Sequence, residues 1–208
     1  MYLFTVLLAL TNVYYFRYTF GMSFYDEIYE HAADNYGLIT SAKAKEIGIP
    51  SVELVKLAHR GRLRRIGHGV YRAKHYIPTP LDKYAEAVAL VGKGAYIFGE
   101  SVLSMHGLAL VNPAVIYVAT TARVRKTLPV GIALIFRKEE DHVACYEGIP
   151  SQSVFDAIIV CRSSVMSERL EDAVDEAYRQ GLISEKEATF ARKEIRNGRK
   201  EAKQQTKS

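Results

Sequence analysis

The chain has 208 residues, 49% of them hydrophobic and 25% charged, and a formal net charge of +5. That length holds one large domain or two small ones, and the composition excludes a fibrous repeat or wholesale disorder. Two cysteines, Cys145 and Cys161, with no CxxC pair, argue against a disulfide framework or structural zinc and point to a reducing, cytoplasmic setting.

Residues 2–16, YLFTVLLALTNVYYF, are almost wholly apolar. The run stops short of the roughly 20 residues of a spanning helix, and no basic residue precedes it as a secretory signal requires. Residues 1–21 read as a membrane anchor, as an element packed on the protein, or as sequence upstream of the true start. The third reading is favoured, because Met22 opens an ordinary amphipathic helix.

Phe24, Ile28 and Ala32 recur at helical spacing, which predicts a helix over 24–35 ended by Asn35-Tyr36-Gly37. Leu38-Ile39 is a short extended link. Thr40 or Ser41 caps a short helix over 42–47, stopped by Gly48. Pro50-Ser51 opens a helix over 52–60, and Gly61 ends it. Leu63 to Ile66 alternates apolar and basic residues as a strand does, Gly67-His68-Gly69 turns, and Val70-Tyr71-Arg72 returns. His75 to Pro80 is a linker with two prolines.

Beyond it, Thr79-Pro80 opens a helix to Val91. Strands are predicted over 95–98, 115–119, 132–136 and 143–146, and helices over 100–106, 151–161 and 167–180. Ser184 and Glu187 form a capping box for a last helix. After Asn197-Gly198 the basic tail has little to bury and is expected to be disordered. The domain plan is therefore 22–78, 79–197 and a tail over 198–208.

Residues 24–72 thus run helix, helix, tight turn, helix, hairpin, the order of a winged helix-turn-helix. Charge follows the same division. Residues 41–75 hold nine basic and two acidic side chains, whereas residues 76–189 hold eleven and fifteen. Residues 190–208 are basic again, with seven against two. A local cationic block of this kind points to a polyanion, with double-stranded DNA first. Leu54, Leu57 and Ala58 give the third helix a buried side, leaving Ser51, Glu53, Lys56 and Arg60 outward. Such a helix offers its N-terminal part to the major groove while flanking elements hold phosphates. The candidate DNA-contacting set is Ser41, Lys43, Ser51, Lys56, Arg60, Arg62, Arg64, Arg65, His68 and Arg72. The competing reading is a protein-docking module whose basic residues are solvated surface; Glu53 favours it, since a carboxylate repels phosphate.

Three runs carry a family resemblance in this region. They are Gly37-Leu38-Ile39-Thr40-Ser41-Ala42-Lys43-Ala44, then Gly48-Ile49-Pro50, then Leu54 to Leu63, closing on Gly69-Val70-Tyr71-Arg72. Together they resemble the N-terminal domain of AbiEi-type antitoxins of type IV toxin–antitoxin systems. Gly99 to Leu108 resembles the helix after the first strand of that family's second domain, and Gly148 to Asp156 the segment leading to its next helix. The resemblance spans about residues 24–190. It implies a winged domain that binds and represses the operon's own promoter, and a second, α+β domain with a small sheet and C-terminal helices that carries the antitoxic activity. The implied opponent is a nucleotidyltransferase-like toxin encoded alongside; direct contact with it stays open. An ordinary winged-helix regulator with a ligand-sensing or oligomerising second domain is the alternative.

Catalytic arrangements are weak. Ser101, Ser104 and His106 share a short helix with Glu100, but no G-x-S-x-G elbow surrounds a serine. Asp156 sits in an apolar helix, Glu139-Glu140-Asp141-His142 reads as a solvated turn, and Gly92-Lys93-Gly94 lacks the phosphate-loop spacing. No enzyme activity, metal or cofactor is expected. The acidic helix with Glu168, Glu171, Asp172, Asp175 and Glu176 has Leu170, Ala173, Val174 and Ala177 at core spacing. It is a solvated face, or else an anionic surface for a partner or for the chain's own basic tail.

Overall fold

Ser23 starts the first helix by a reciprocal cap: its hydroxyl accepts from the Asp26 N–H, and the Asp26 carboxylate accepts from the Ser23 N–H at 3.0 Å. These two bonds hold the Asp26 carboxyl below its ordinary range, the Ser23 hydroxyl contributing most. The computed structural model describes residues 23–108, 114–138 and 143–205. Residues 1–21 and the run Glu139-Glu140-Asp141-His142 lie outside the described residues. The chain divides between Asp82 and Lys83 into two compact units.

The first unit runs α1 (Phe24–Ala33), β1 (Leu38–Thr40), α2 (Ser41–Glu46), α3 (Ser51–His59), β2 (Leu63–Gly67) and β3 (Val70–Ala73). The extended link at Leu38 is a true strand. It pairs antiparallel with β3, giving a three-stranded sheet in the order β1-β3-β2. One core joins the layers: Ile28 from α1, Ala44 from α2, Leu54 and Leu57 from α3, and Ile39 and Tyr71 from the sheet are all buried. Three helices with a hairpin backed by a strand make this a winged helix-turn-helix, as the residue order predicts.

The unit closes past the linker prolines. Asp82 is buried, and its Oδ1 accepts from the Tyr76 hydroxyl at 2.9 Å, the Thr79 N–H at 2.9 Å and the Thr79 hydroxyl at 2.8 Å. Burial, then the bond to Asp82, pushes the Tyr76 hydroxyl pKa up. Tyr76 in turn covers Gly37, where a Cβ would stand 2.3 Å from the ring and where φ is +71°. Glycine is required there on both counts.

The second unit contains α4 (Asp82–Val91, whose first residue closes the unit before), β4 (Tyr96–Ile97), α5 (Glu100–Met105), β5 (Ile116–Thr120), β6 (Ile132–Phe136), β7 (Val143–Tyr146), β8 (Ile149–Gln152), α6 (Val154–Cys161), α7 (Ser167–Arg179) and α8 (Glu185–Gln205). Its mixed sheet has the order β6-β5-β4-β8-β7. The expected helix over 151–161 is corrected here. Residues 149–152 form β8, parallel to β4 and antiparallel to β7, and the helix starts only after Ser153, whose hydroxyl accepts from the Asp156 N–H at 3.1 Å. Glu147 and Gly148 both have positive φ, 48° and 80°, which is what a two-residue hairpin turn demands.

The tail is corrected too. Helix α8 continues to Gln205 rather than fraying at Gly198. Arg, Lys, Glu, Ala and Gln are strong helix formers, and adding residues to an existing helix avoids the nucleation cost. Leu170, Ala173, Val174 and Ala177 are buried, as their spacing predicts. The acidic side of α7 meets the chain's own basic C-terminal helix: Arg192 pairs with Asp175 at 2.6 Å and Arg196 with Glu171 at 3.8 Å.

Candidate nucleic-acid interface

Two local devices set the helix-turn-helix. The Thr40 hydroxyl accepts from the Lys43 N–H at 3.1 Å and caps α2. Gly48, at φ +76°, turns the chain, and the Ile49 N–H donates to the Ala44 carbonyl at 2.7 Å. Pro50 then enters α3 at φ −60°, which its ring already favours. Leu54 and Leu57 face the core, so the opposite side of α3 is open to solvent. The wing is tied back by the Ser41 N–H, which donates to the Gly69 carbonyl at 2.8 Å.

Of the expected contact residues, Lys43, Ser51, Lys56, Arg60, Arg62, Arg64, Arg65 and His68 are exposed, and Ser41 is half-buried beside Gly69. Several are oriented by neighbours. Lys56 pairs with Glu53 at 2.8 Å and Lys43 with Glu46 at 3.4 Å. Glu53 is therefore not on the outward surface as expected: it is half-buried and holds Lys56. The Arg65 Nε donates to the Gly67 carbonyl at 3.3 Å, which steadies the side chain next to a bulge in the β2–β3 ladder. The Arg62 guanidinium lies 4.9 Å over the Tyr25 ring.

Arg72 departs from expectation. Its side chain keeps 13% of its exposure and lies 3.4 Å from the Asp82 carboxylate, with the Tyr76 ring 5.8 Å away. The β2–β3 register sets Arg64 directly opposite Arg72. Like charges so placed repel, and the Asp82 carboxylate beside Arg72 offsets that repulsion. Arg72 is a structural cation of the first unit.

Sequence reading missed two residues on α3. Val52 and Val55 are 53% and 54% exposed, in the middle of the outward arc with Lys56 and His59. Counting 100° per residue from Leu54 and Leu57 would have found them.

In the second unit the chemistry-bearing side chains have structural partners. The Ser101 hydroxyl accepts from the Tyr117 N–H at 2.9 Å, and the Tyr84 and Ser104 hydroxyls are 2.9 Å apart. His106 stacks on Tyr146 with ring centroids 3.9 Å apart, and burial lowers its pKa to about 4. Burial, and then the charge of Glu100, pushes the Cys161 thiol up to about 12. Among the described residues, no helix is long and apolar enough to cross a membrane, and no acidic, His or Cys cluster has metal-binding geometry.

The first unit is thus a winged helix-turn-helix with one exposed side on α3 and a cationic wing. Residues 26–74, within the first unit, match the family model described as "Transcriptional regulator, AbiEi antitoxin". No curated protein sequence matches the chain. A solved structure, that of the Rv2827c protein from Mycobacterium tuberculosis, aligns over 83% of this chain and 77% of that one, at 14% identity and a TM-score of 0.39.

Proposed function

We propose that this chain is a DNA-binding antitoxin that represses its own promoter through the first unit and counteracts a nucleotidyltransferase-like toxin through the second. One observation carries the DNA half: the segment matching the antitoxin regulators is also the segment whose recognition helix and wing expose Ser51, Lys56, Arg60, Arg62, Arg64 and Arg65. A cationic wing suits phosphate, and an exposed helix N-terminal half suits base edges. Ser41, Lys43 and His68 flank that surface and contact the backbone. The protein acts by binding, needs no cofactor, and works in the cytoplasm. The antitoxic half rests on the family resemblance and on the division of the chain into two units.

The test separates the halves. Full-length protein and the Arg64→Ala/Arg65→Ala variant are co-expressed with the neighbouring toxin gene, and each is titrated against the operon's promoter. The variant is expected to lose promoter binding and repression while still protecting cells. Loss of protection in step with loss of DNA binding would reverse the assignment. Failure of the wild-type chain to bind the promoter would end it.

A further inference from the structure

We propose that Val52 and Val55 read thymine methyl groups in the major groove, which makes α3 selective for A·T base pairs at adjacent positions. The inference rests on the DNA-binding reading above and names how that site chooses its sequence. Its starting point is rotation. With Leu54 and Leu57 marking the buried direction, a step of 100° per residue puts Val52 about 170° and Val55 about 130° away from it. The exposures agree, at 53% and 54%. Both valines lie in the N-terminal half of α3, the part that a helix-turn-helix brings to base edges.

A lone exposed apolar side chain is ordinary. Two valines one turn apart are less so. Valine is a weak helix former, because its branched side chain loses rotamer freedom in a helix, and here neither gains burial. Four γ-methyls therefore project from a surface whose neighbours are polar: Ser51, His59 and the Glu53-paired Lys56 beside them, and the uncompensated Arg60 and Arg62 where the helix ends and the wing begins. That cationic rim selects a polyanion as the occupant, rather than an apolar protein face. Valine can neither donate nor accept a hydrogen bond. Among the groups displayed in the major groove, the one it complements is the C5-methyl of thymine. The two residues are separated by about 4.5 Å along the helix axis. Stacked base pairs are about 3.4 Å apart, so the pair addresses neighbouring base pairs.

Full-length protein is used to enrich a binding duplex from a random-sequence library. Each thymine of that duplex is then replaced in turn by deoxyuracil, which removes the methyl and keeps every hydrogen-bonding group. Wild type is expected to lose about fourfold in affinity at each of one or two positions, the equivalent of about 0.8 kcal/mol for one methyl-sized group leaving contact. Val52→Ala and Val55→Ala should bind thymine and deoxyuracil duplexes alike, each at its own position, with the salt dependence of wild type. Alanine is the better helix former, so both variants stay folded, and a thermal melt verifies it. If the alanine variants keep the full deoxyuracil penalty, or if no thymine in the enriched duplex is sensitive, the proposal is wrong while DNA binding stands. If the variants weaken both duplexes equally and sedimentation shows that a dimer has been lost, the valines join two copies of the chain and the proposal is likewise overturned. If wild type enriches no sequence at all, both this inference and the DNA-binding reading fail.

Discussion

The wing makes a quantitative claim about salt. Arg64 and Arg65 are adjacent on β2 and both exposed. Arg64 stands opposite Arg72, which is already engaged by Asp82, so Arg64 is the member of that cross-strand pair left for an outside anion. Arg65 spends its Nε on the Gly67 carbonyl and keeps its terminal nitrogens for a second phosphate. Each phosphate contact contributes about −0.9 to the slope of log affinity against log salt. Arg64→Ala/Arg65→Ala should therefore flatten the slope by about 1.8, or by about 0.9 if one arginine alone reaches the backbone. Between 50 and 200 mM salt each contact accounts for about a 3.5-fold change in affinity, so the variant's deficit is greatest at low salt. Operator and scrambled duplex should lose affinity together, because phosphates carry no sequence. Stability should change by less than about 0.5 kcal/mol, as both side chains are exposed. The assay is fluorescence anisotropy with both duplexes at three or more salt concentrations. An unchanged slope with wild-type affinity for both duplexes would refute the wing as the phosphate clamp.

Three further outcomes are expected. Arg72→Ala should lower the melting temperature and leave the salt slope unchanged, since it removes the cation beside a buried carboxylate; three remaining hydrogen bonds to Asp82 Oδ1 limit the cost to about 1–3 kcal/mol. Leu57→Ala should cost about 2–5 kcal/mol in a denaturant titration by emptying a site under the recognition helix, and should weaken DNA binding only as far as it unfolds the unit. His106, with its folded pKa near 4, binds a proton more readily when unfolded, so stability is complete above about pH 6.5 and falls as the pH drops towards 4. His106→Gln should remove this contribution between about pH 6.5 and 4 from acid denaturation curves of the full-length chain, while the loss at lower pH from Asp26 and Glu187 remains.

The first unit was legible because its signals are local. Thr40, Gly48 and Gly61 mark helix ends within a few residues of what they govern, and Leu54 and Leu57 declare the buried side of α3. The second unit hid a strand for the converse reason. Residues 149–152 gain their conformation from β4 and β7, and Pro150 masks the strand pattern while Ser151 and Ser153 look like helix caps. Glu147-Gly148 makes a hairpin turn without the Asn-Gly or Asp-Gly pair that would advertise one. The helical tail was missed because helix propensity was outweighed by the lack of apolar residues, which governs packing but not the extension of a helix already begun.

Charge counting located the cationic block but could not apportion it. Within residues 41–75, the structure engages Lys43 with Glu46, Lys56 with Glu53, and Arg72 with Asp82, a carboxylate outside the counted window. Outside these pairs stand Lys45, Arg60, Arg62, Arg64, Arg65 and Lys74, all exposed, and all but Lys45 lie between the end of α3 and the residue after β3. Uncompensated positive charge is thereby concentrated at the wing. The outward side of the N-terminal half of α3 is left with a serine and two valines, and the compensated Lys56 follows in the last turn, a surface that adds little charge. On the proposed DNA-binding reading, affinity and choice of sequence fall to different parts of the unit, so substitutions on the wing should change how tightly all DNA is held, whereas substitutions at Val52 and Val55 should change which DNA is preferred.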